Sequence, residues 1–477
     1  MIIITTKPLI EYLIMTTWRT SADKDFWKKT WRLALPVSMQ SMLFALLGLV
    51  DVLMVSKLGE SAVAAVGIGN RIFFFNLLLV VGVSGAVGVL AAQYFGAGRM
   101  DGVRRTLLQS WVCAIVFTLP FAIIYRLFPQ QIVGVISDQA DFVMHAKDYL
   151  YVCGWSIIFT AIVVPLEAAL RAVGEAKMPT YVGLVAVLLN ATLNALLIFG
   201  LYGFPEMGVA GAALGTTISR GIQTVILLVA TYYRHREILP LAIDINTAKT
   251  PQARKRYFAI ALPMIIHDAG WAMGVLVYSF IFAQLGVTEL AIISLLSPIE
   301  GVLISAFIGF AVAASTILGH ELGAENYQRA WHQSWFFIGL SVSMAFVLGI
   351  SIWLASDTVT IWLQRADTPN LAMSLNVTMV LALGLFLKVF NMVGIGGVLR
   401  SGGDIKFSIF IDLFGQWGIG IPLAIFTGVF LGWPLHWVLM AILAEEVVKV
   451  GLTAYRIRGR KWLANLINDH DQVLISA

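Results

Sequence analysis

Residues 33–55 read LALPVSMQSMLFALLGLVDVLMV, an apolar run with one proline, one aspartate and no basic residue. At about 1.5 Å per residue, a helix of this length crosses the roughly 30 Å hydrocarbon core of a bilayer. The sequence therefore predicts an all-α membrane protein with twelve transmembrane helices. Eleven further runs of this kind lie at residues 63–88, 107–128, 147–168, 179–200, 208–232, 258–283, 289–312, 332–354, 373–398, 407–428 and 434–455.

The bulk composition excludes a soluble globular protein. Of the 477 residues, 59% are hydrophobic and 12% are charged, whereas soluble domains carry about 25% charged residues. Lipid must therefore cover much of the apolar surface. The net charge of +5 resides mainly in loops and termini, so we expect no nucleic-acid partner.

The distribution of lysine and arginine predicts the orientation. Both ends and the even-numbered loops are basic, as in the tail with Arg456, Arg458, Arg460 and Lys461, whereas the odd-numbered loops carry few basic residues. Basic loops face the cytoplasm. We therefore expect a multi-pass protein of the cell inner membrane with both termini in the cytoplasm.

The N-terminal residues and the cysteines give two smaller expectations. Residues 1–15 are apolar but lack a basic start and an A-x-A site, so we expect no cleavable signal peptide, with Met15 as an alternative start to Met1. Cys113 and Cys153 fall inside predicted spans, and we expect packed thiols rather than a disulfide.

An internal repeat predicts the domain organisation. One constant shift aligns residues 34–36 with residues 261–263, both Ala-Leu-Pro, and also aligns Gly96 with Gly323. Six predicted helices separate the copies, and because six is even, both copies cross the membrane in the same direction. We therefore expect two parallel six-helix bundles related by a pseudo-two-fold axis. The predicted segments are a cytoplasmic N-terminal segment 1–32, a first lobe 33–233, a cytoplasmic linker 234–257, a second lobe 258–456 and a cytoplasmic tail 457–477.

Several motifs lie at the ends of the predicted helices. Asp51 follows Pro36 on the first helix, within VDVLMVSKLG at residues 50–59, and Gln93 precedes GAG at residues 96–98. The others are LRAVG at 170–174, LNATLNALLIFG at 189–200 and GVAGAALGTT at 208–217. Together they resemble the multidrug and toxic compound extrusion (MATE) family over nearly the whole chain. The resemblance implies two bundles in a V shape and export of amphipathic organic cations driven by Na⁺ or H⁺.

The chain departs from one branch of that family. The branch carries an acidic residue on its seventh helix and another on its tenth helix. By spacing from Pro263 and from Gly397, the corresponding positions here hold Trp271 and Val389. A cation site of that type in the second lobe is therefore not expected.

Four oxygen-bearing side chains are predicted at one depth of the first lobe. Asp51 lies about 25 Å along the first helix from its cytoplasmic end, and Asn190 and Asn194 lie about 20 and 26 Å along the fifth. Thr216, on the sixth helix, lies roughly 20 Å above the inner surface. A carboxylate, two amides and a hydroxyl suit a small hard cation, and an acid within the membrane is usually functional. We predict a cation-coupling site at these four residues, which would ligate Na⁺ if Na⁺ is the coupling ion.

Other interpretations of these residues stay open. Asp51 could be a structural acid paired with a neighbour, and the two asparagines could make interhelical hydrogen bonds only. Thr217 could face inward in place of Thr216. Pro36 is expected to kink the first helix, and Pro263 repeats that proline without the acid.

Charged and polar residues in the second lobe form a possible second site. Its functional interpretation is a second proton or substrate site, and its alternative is a salt-bridge cluster with Lys388 and Lys449, since charges in the membrane need partners. Tyr278 is the repeat equivalent of Asp51. The candidate residues are His267, Asp268, Tyr278, Asp412 and Glu445.

The sequence favours a secondary antiporter that exchanges small amphipathic, cationic organic compounds for H⁺ or Na⁺, with no other cofactor and acting as a monomer. A flippase for lipids or lipid-linked oligosaccharides is the nearest alternative. A membrane-embedded transferase is an alternative of a different class, although the acids are scattered rather than clustered for Mg²⁺. No G-x-x-x-x-G-K-[ST] loop occurs, which argues against an ATP-driven pump.

The charge bias gives a direct test of topology. Green fluorescent protein fused after Ala477 should fluoresce, and alkaline phosphatase fused there should be inactive, because we expect the C-terminus in the cytoplasm. Phosphatase inserted at Arg365, in an odd-numbered loop, should be active and serves as the control. An active phosphatase after Ala477 would contradict this orientation.

Overall fold

The computed structural model describes Trp18 and residues 20–134, 139–366 and 368–468, and these residues form helices and no β-strand. A long helix, or a pair of helices, lies at each of the twelve predicted spans, which confirms the all-α membrane fold. The helices are α1 (Lys24–Val55), α2 (Glu60–Gly96), α3 (Met100–Leu127), α4 (Pro129–Gly134), α5 (Ala140–Cys153), α6 (Ser156–Ala172), α7 (Lys177–Phe199), α8 (Gly208–Arg234), α9 (Ala242–Ala248), α10 (Pro251–Leu285), α11 (Val287–Gly323), α12 (Tyr327–Leu354), α13 (Ser356–Arg365), α14 (Leu371–Asn391), α15 (Ile405–Leu413), α16 (Ile421–Ala424) and α17 (Leu435–Arg458).

Most of the long helices can cross a bilayer. Within the described ranges, nine are long and apolar enough, and α5 with α6, which meet at 47°, would make a tenth as one broken span. The last helix, α17, is not among the nine. It carries the charged residues Glu445, Glu446 and Lys449 in its middle. Residues 1–15, about which the sequence analysis made an expectation, and residues 469–477 of the predicted tail lie outside the described residues.

Wide helical turns mark the C-terminal part of the chain. They follow α14, α15 and α16, at Met392–Leu399, Phe414–Gly420 and Ile425–Phe430. Such π-type turns insert an extra residue into the helix and are often found near functional sites. By contrast, α1 continues through Pro36 and α10 continues through Pro263. The predicted kink at Pro36 therefore stays a prediction.

The contacts within the chain divide it into two compact units. Among the described residues, the first unit contains those within Pro36–Ala91 and Arg99–Ala306, and the second contains Ala92–Gly98 and those from Phe307 onward, together with those before Pro36. The lobe boundaries drawn from the repeat stay a prediction, because this grouping follows contacts rather than the repeat.

Small residues explain why α10 belongs to the first unit. A Cβ on Gly82 would lie 2.9 Å from Ile265 Cα, and one on Gly85 would lie 2.2 Å from the end of Met264. Glycine at these two positions of α2 therefore lets α10 approach its backbone closely. The hydroxyl of Tyr257 also donates to the carbonyl of Val83, at 3.1 Å.

The segment predicted as the linker has its own structure. It contains α9, and Asp244 in that helix pairs with Arg104 of α3 at 2.8 Å. The next helix, α10, begins at Pro251, where Thr250 caps it by accepting from the backbone N–H of Ala253. A threonine cap followed by proline is a favourable start for a helix.

In the second unit, two glycines of the repeat pack reciprocally. A Cβ on Gly96 would lie 2.1 Å from the carbonyl oxygen of His320, and one on Gly323 would lie 2.0 Å from that of Gln93. Gln93 and His320 are themselves equivalent under the shift that aligns the two glycines. The ends of α2 and α11 therefore contact each other through backbone, with a local two-fold relation between the copies.

The side chain of Gln93 fixes the C-terminal segment. It is fully buried, and its amide donates to the carbonyls of Ser401 and Ala464, at 2.8 and 3.2 Å. Its carbonyl accepts from the backbone N–H of Leu466 at 2.7 Å. The buried amide is thus fully hydrogen-bonded, which is the condition for burying such a group at low cost.

The close contact at Gly96 predicts that two glycine-to-alanine substitutions in α2 change the melting temperature differently. Gly96→Ala should lower the melting temperature of the purified protein, because its Cβ has no space, and overpacking costs about 1–3 kcal/mol. Gly88→Ala is the matched control, since a Cβ there meets nothing within 4 Å and alanine favours helix by about 1 kcal/mol. Equal melting temperatures for the two variants in detergent would refute the packing argument.

Candidate cation site

A hydrogen bond joins the predicted acid to the predicted amides. Asp51 lies one turn before the end of α1, and Asn194 of α7 donates to its carboxylate from Nδ2 at 2.9 Å. The same Nδ2 lies 3.5 Å from Oδ1 of Asn190, one turn earlier on the same face of α7. Both asparagines are buried.

The chain of polar side chains ends on α8. Asn190 donates from Nδ2 to the hydroxyl oxygen of Thr216 at 3.2 Å, and that hydroxyl donates to the backbone carbonyl of Ala212 at 3.1 Å. Thr217 is directed elsewhere, because its hydroxyl bonds to the carbonyls of Val152 and Ala213. The structure therefore brings all four predicted residues together and selects Thr216 over Thr217.

The site contains a buried oxygen that lacks a hydrogen-bond donor. Within the described part of the chain, Oδ1 of Asn194 has no partner. An unsatisfied buried acceptor costs about 1–3 kcal/mol, and a cation or a water would satisfy it. Gly215 of α8 leaves space at this oxygen, because a Cβ there would lie 2.3 Å from it.

The donor set fits a small hard cation. The site offers a carboxylate, two amide oxygens and a hydroxyl, and oxygen ligands of this kind hold alkali and alkaline-earth ions. Across the described residues there is no group of three or more His, Cys, Asp or Glu that could hold a metal. The oxygens of this site would fit a proton on Asp51 or a Na⁺ among them.

A cavity of about 230 Å³ adjoins the site within the same unit. Thr216 and Arg220 of α8 line it together with Phe73 and Phe74 of α2. Its wall also includes Tyr149 of α5, whose hydroxyl donates to Asn70 at 2.8 Å. Thr216 thus belongs both to the polar chain that ends at Asp51 and to the wall of a cavity with an aromatic lining.

The family model MatE matches residues 36–196 and 263–426, most of the chain. The chain belongs to the MATE family. Among curated relatives, the "Uncharacterized transporter YisQ" of Bacillus subtilis is 24% identical over 460 residues, which cover 94% of this chain and 97% of that protein. The "Multidrug resistance protein NorM" of Burkholderia vietnamiensis is 26% identical over 445 residues, 88% and 91% of the two chains.

Solved MATE structures share the fold. One described as the "Outward-facing conformation of a multidrug resistance MATE family transporter of the MOP superfamily" superposes with a TM-score of 0.83. It is 18% identical, and the match covers 91% of this chain and 96% of that one. Membership of the family makes the chain a multi-pass membrane transporter.

One buried carboxylate near this site was not predicted from the sequence. Glu167 of α6 accepts from Gln40 at 3.1 Å and from Gln223 at 3.3 Å through Oε1, and from Arg171 at 3.3 Å through Oε2. The spacing of Glu167 and Arg171, four residues apart at the end of a predicted span, was the available signal.

The predicted second site divides between the two units of this MATE protein. In the first unit, His267 Nδ1 lies 2.9 Å from Asp268 Oδ1. On the same helix, the ring of Tyr278 stacks on Phe282 with centroids 6.2 Å apart. These residues form local pairs along α10.

In the second unit, the acids share one lysine. Lys449 Nζ lies 2.5 Å from Glu445 and 3.7 Å from Asp412. Gly415 gives the lysine room, because a Cβ there would lie 2.4 Å from Lys449 Cε. These contacts match the part of the salt-bridge interpretation that involves Lys449. A transport role for these residues stays a prediction.

Gly215 has no side chain and so leaves room for Asn194. Adding a methyl group there tests the site without removing any of its polar groups. Gly215→Ala should reduce ion-driven dye efflux at least tenfold, because the new methyl group must displace Asn194 from Asp51 and about 1.4 kcal/mol corresponds to tenfold. Gly221→Ala, on the same helix, is the control, since its Cβ would meet Phe159 at an ordinary 3.4 Å. Unchanged efflux by folded Gly215→Ala protein would argue against the site.

Proposed function

We propose that this chain is a secondary active antiporter that exports small amphipathic organic compounds in exchange for Na⁺ or H⁺. The observation that carries the proposal is the continuous chain Asp51–Asn194–Asn190–Thr216, which ends in the wall of a cavity. A cation bound at one end and a substrate in the cavity would therefore act on the same connected side chains. Relatives such as NorM of Burkholderia vietnamiensis, a "Multidrug resistance protein", support drug-like substrates.

The acid supplies the coupling. An ionised carboxylate is costly in an apolar surrounding, and among the described residues no basic side chain pairs with Asp51. Binding of H⁺ or Na⁺ neutralises it, and release restores the charge. Each state favours a different arrangement of the helices around Asp51, and this difference is what allows a cation gradient to drive substrate export.

The neutral ligands transmit the state of the acid. Asn194 donates to the Asp51 carboxylate and its Oδ1 is left without a donor in the described residues, an arrangement that suits the ionised acid. A cation at Asp51 would compete with this amide N–H for the carboxylate oxygen and would reorient the Asn194 side chain. Because Asn194 and Asn190 are in contact, that change reaches Thr216 and hence the cavity.

The proposal also covers the location, orientation and oligomeric state of the protein. The protein works in the cell inner membrane with both termini in the cytoplasm, acts as a monomer and needs no cofactor beyond the coupling ion. The positive loops and ends of the sequence support this orientation.

Substitution of the acid tests the proposal. Asp51→Asn keeps the shape of the side chain and removes its charge, so uphill dye efflux from everted vesicles should stop while the protein still inserts and binds substrate. Asn190→Ala and Asn194→Ala should weaken efflux less, because each removes one neutral ligand. Asp141→Asn, an exposed acid of the same unit, should leave efflux unchanged.

The same vesicles identify the ion. A Na⁺ gradient and a pH gradient, imposed separately, should show which of the two drives efflux by the wild-type protein. Wild-type rates from Asp51→Asn at matched expression would remove the coupling role of Asp51 and leave the fold assignment standing.

A further inference from the structure

The short segment that follows the last helix folds back onto the protein. Residues 459–468 come after α17, and in this tail segment the side chains of Trp462, Leu466 and Ile467 are almost completely buried. A terminal segment that nothing holds in place would be expected to expose such side chains to water. The tail segment is therefore a packed part of the second unit.

Two glycines of the second repeat copy make room for the tail segment. A Cβ on Gly402 would lie 1.6 Å from the carbonyl oxygen of Trp462, and one on Gly403 would lie 2.5 Å from the side chain of Leu466. Gly403 also has a φ of 74°, which residues with a Cβ rarely adopt. Apolar burial against these glycines anchors the tail segment to the second copy.

Gln93 attaches the same segment to the first repeat copy. It lies near the end of α2, and its buried amide donates to the carbonyls of Ser401 and Ala464 and accepts from the backbone N–H of Leu466. All of these residues lie in the second unit. One side chain of the first copy therefore holds both the tail segment and the turn at Ser401.

The two attachments differ in kind. Apolar side chains resist transfer to water, whereas a hydrogen bond contributes modestly to stability, because water replaces it when it breaks. Water that enters at this end of the protein can therefore replace the three bonds of Gln93 while Trp462 stays buried. The attachment through Gln93 is the one that can open and close reversibly.

Export by two lobes requires a movement at this position. When two repeats rock against each other, their ends separate on the side that opens. The ends of α2 and α11 are in contact here through Gly96 and Gly323, and Gln93 lies three residues before Gly96. Separation of the two copies at their predicted cytoplasmic ends would therefore break the three bonds of Gln93.

We propose that the tail segment is a latch that Gln93 closes, and that it must release Gln93 before the transporter opens towards the cytoplasm. In its closed state the latch stabilises the contact between α2 and α11. The inference rests on the proposed export function and adds to it a conformational step that is separate from the cation site.

A reversible cross-link tests whether the latch must open. In everted vesicles, which expose the cytoplasmic face, Gln93→Cys and Leu466→Cys are joined in one protein by a bis-methanethiosulfonate reagent. Ion-driven dye transport should fall roughly tenfold or more, because the joined copies cannot change between their two arrangements. Dithiothreitol, which cleaves the link, should restore transport.

A matched control joins the tail segment to its own copy. Asn468 donates from Nδ2 to Glu325, which follows α11, and both residues are exposed. Glu325→Cys joined to Asn468→Cys should leave dye transport unchanged, because this link does not connect the two copies. Cys113 and Cys153 are present in both cross-linked proteins, so the control also covers their modification.

Labelling of a buried cysteine follows the latch without an ion gradient. Ser401→Cys nearly keeps the size of a fully buried side chain, and an impermeant maleimide should label it slowly in purified protein. Gln93→Leu should raise the labelling rate roughly tenfold or more, because leucine keeps the volume and removes three hydrogen bonds. Ser341→Cys, at another fully buried serine, should stay protected with and without Gln93→Leu.

Three results would overturn the proposal. The first is unchanged transport when positions 93 and 466 are linked, and the second is loss of transport in both linked pairs. The third is a labelling rate at position 401 that Gln93→Leu leaves unchanged or raises together with the rate at position 341. Labelling needs neither substrate nor gradient. If it rises as expected but no gradient drives dye transport by the unlinked protein, the antiport proposal fails and the latch stands.

Discussion

The hydrogen bond from Asn194 to Asp51 is the interaction on which the candidate site depends. It holds a carboxylate in an apolar helix without the help of a basic partner in the described residues, so the acid is stabilised by one neutral amide. Such an acid gains much from neutralisation, which makes it sensitive to a small cation. The same bond sets the orientation of Asn194, leaves its Oδ1 without a donor and links α1 to α7.

The packing around this bond follows from small residues. Gly215 leaves the space in which Asn194 lies, and Ala212 exposes the carbonyl that Thr216 needs. Four residues after Thr216, Arg220 places a positive charge in the adjoining cavity. Helix α8 therefore carries, on successive turns, the end of the candidate cation site and the charged group of the cavity.

Much of this arrangement was predictable, because helices in a bilayer obey strict geometric rules. The length and apolarity of the runs placed the twelve helical regions, and the helical rise placed Asp51, Asn190 and Asn194 at one depth. Thr216 and Thr217 could not be separated in this way, since adjacent residues on a helix share a depth and only the rotation of α8 against α7 distinguishes them. The spacing of Glu167 and Arg171 was the one signal in the sequence, and the contacts of Glu167 with Gln40 and Gln223 could not be predicted because these partners come from distant helices. The sequence could not show that Lys449 serves both Glu445 and Asp412, because that contact depends on the close approach allowed by Gly415.

In the proposed mechanism, Asp51 links the binding of substrate to the binding of the coupling cation. The most direct measurement is the release of the cation from purified protein when substrate is added, followed as a pH change in weak buffer or as loss of bound radioactive Na⁺. The wild-type protein should release one of the two cations on binding substrate, and Asp51→Asn should bind the substrate without releasing either. Equal release from Asp51→Asn would contradict the account.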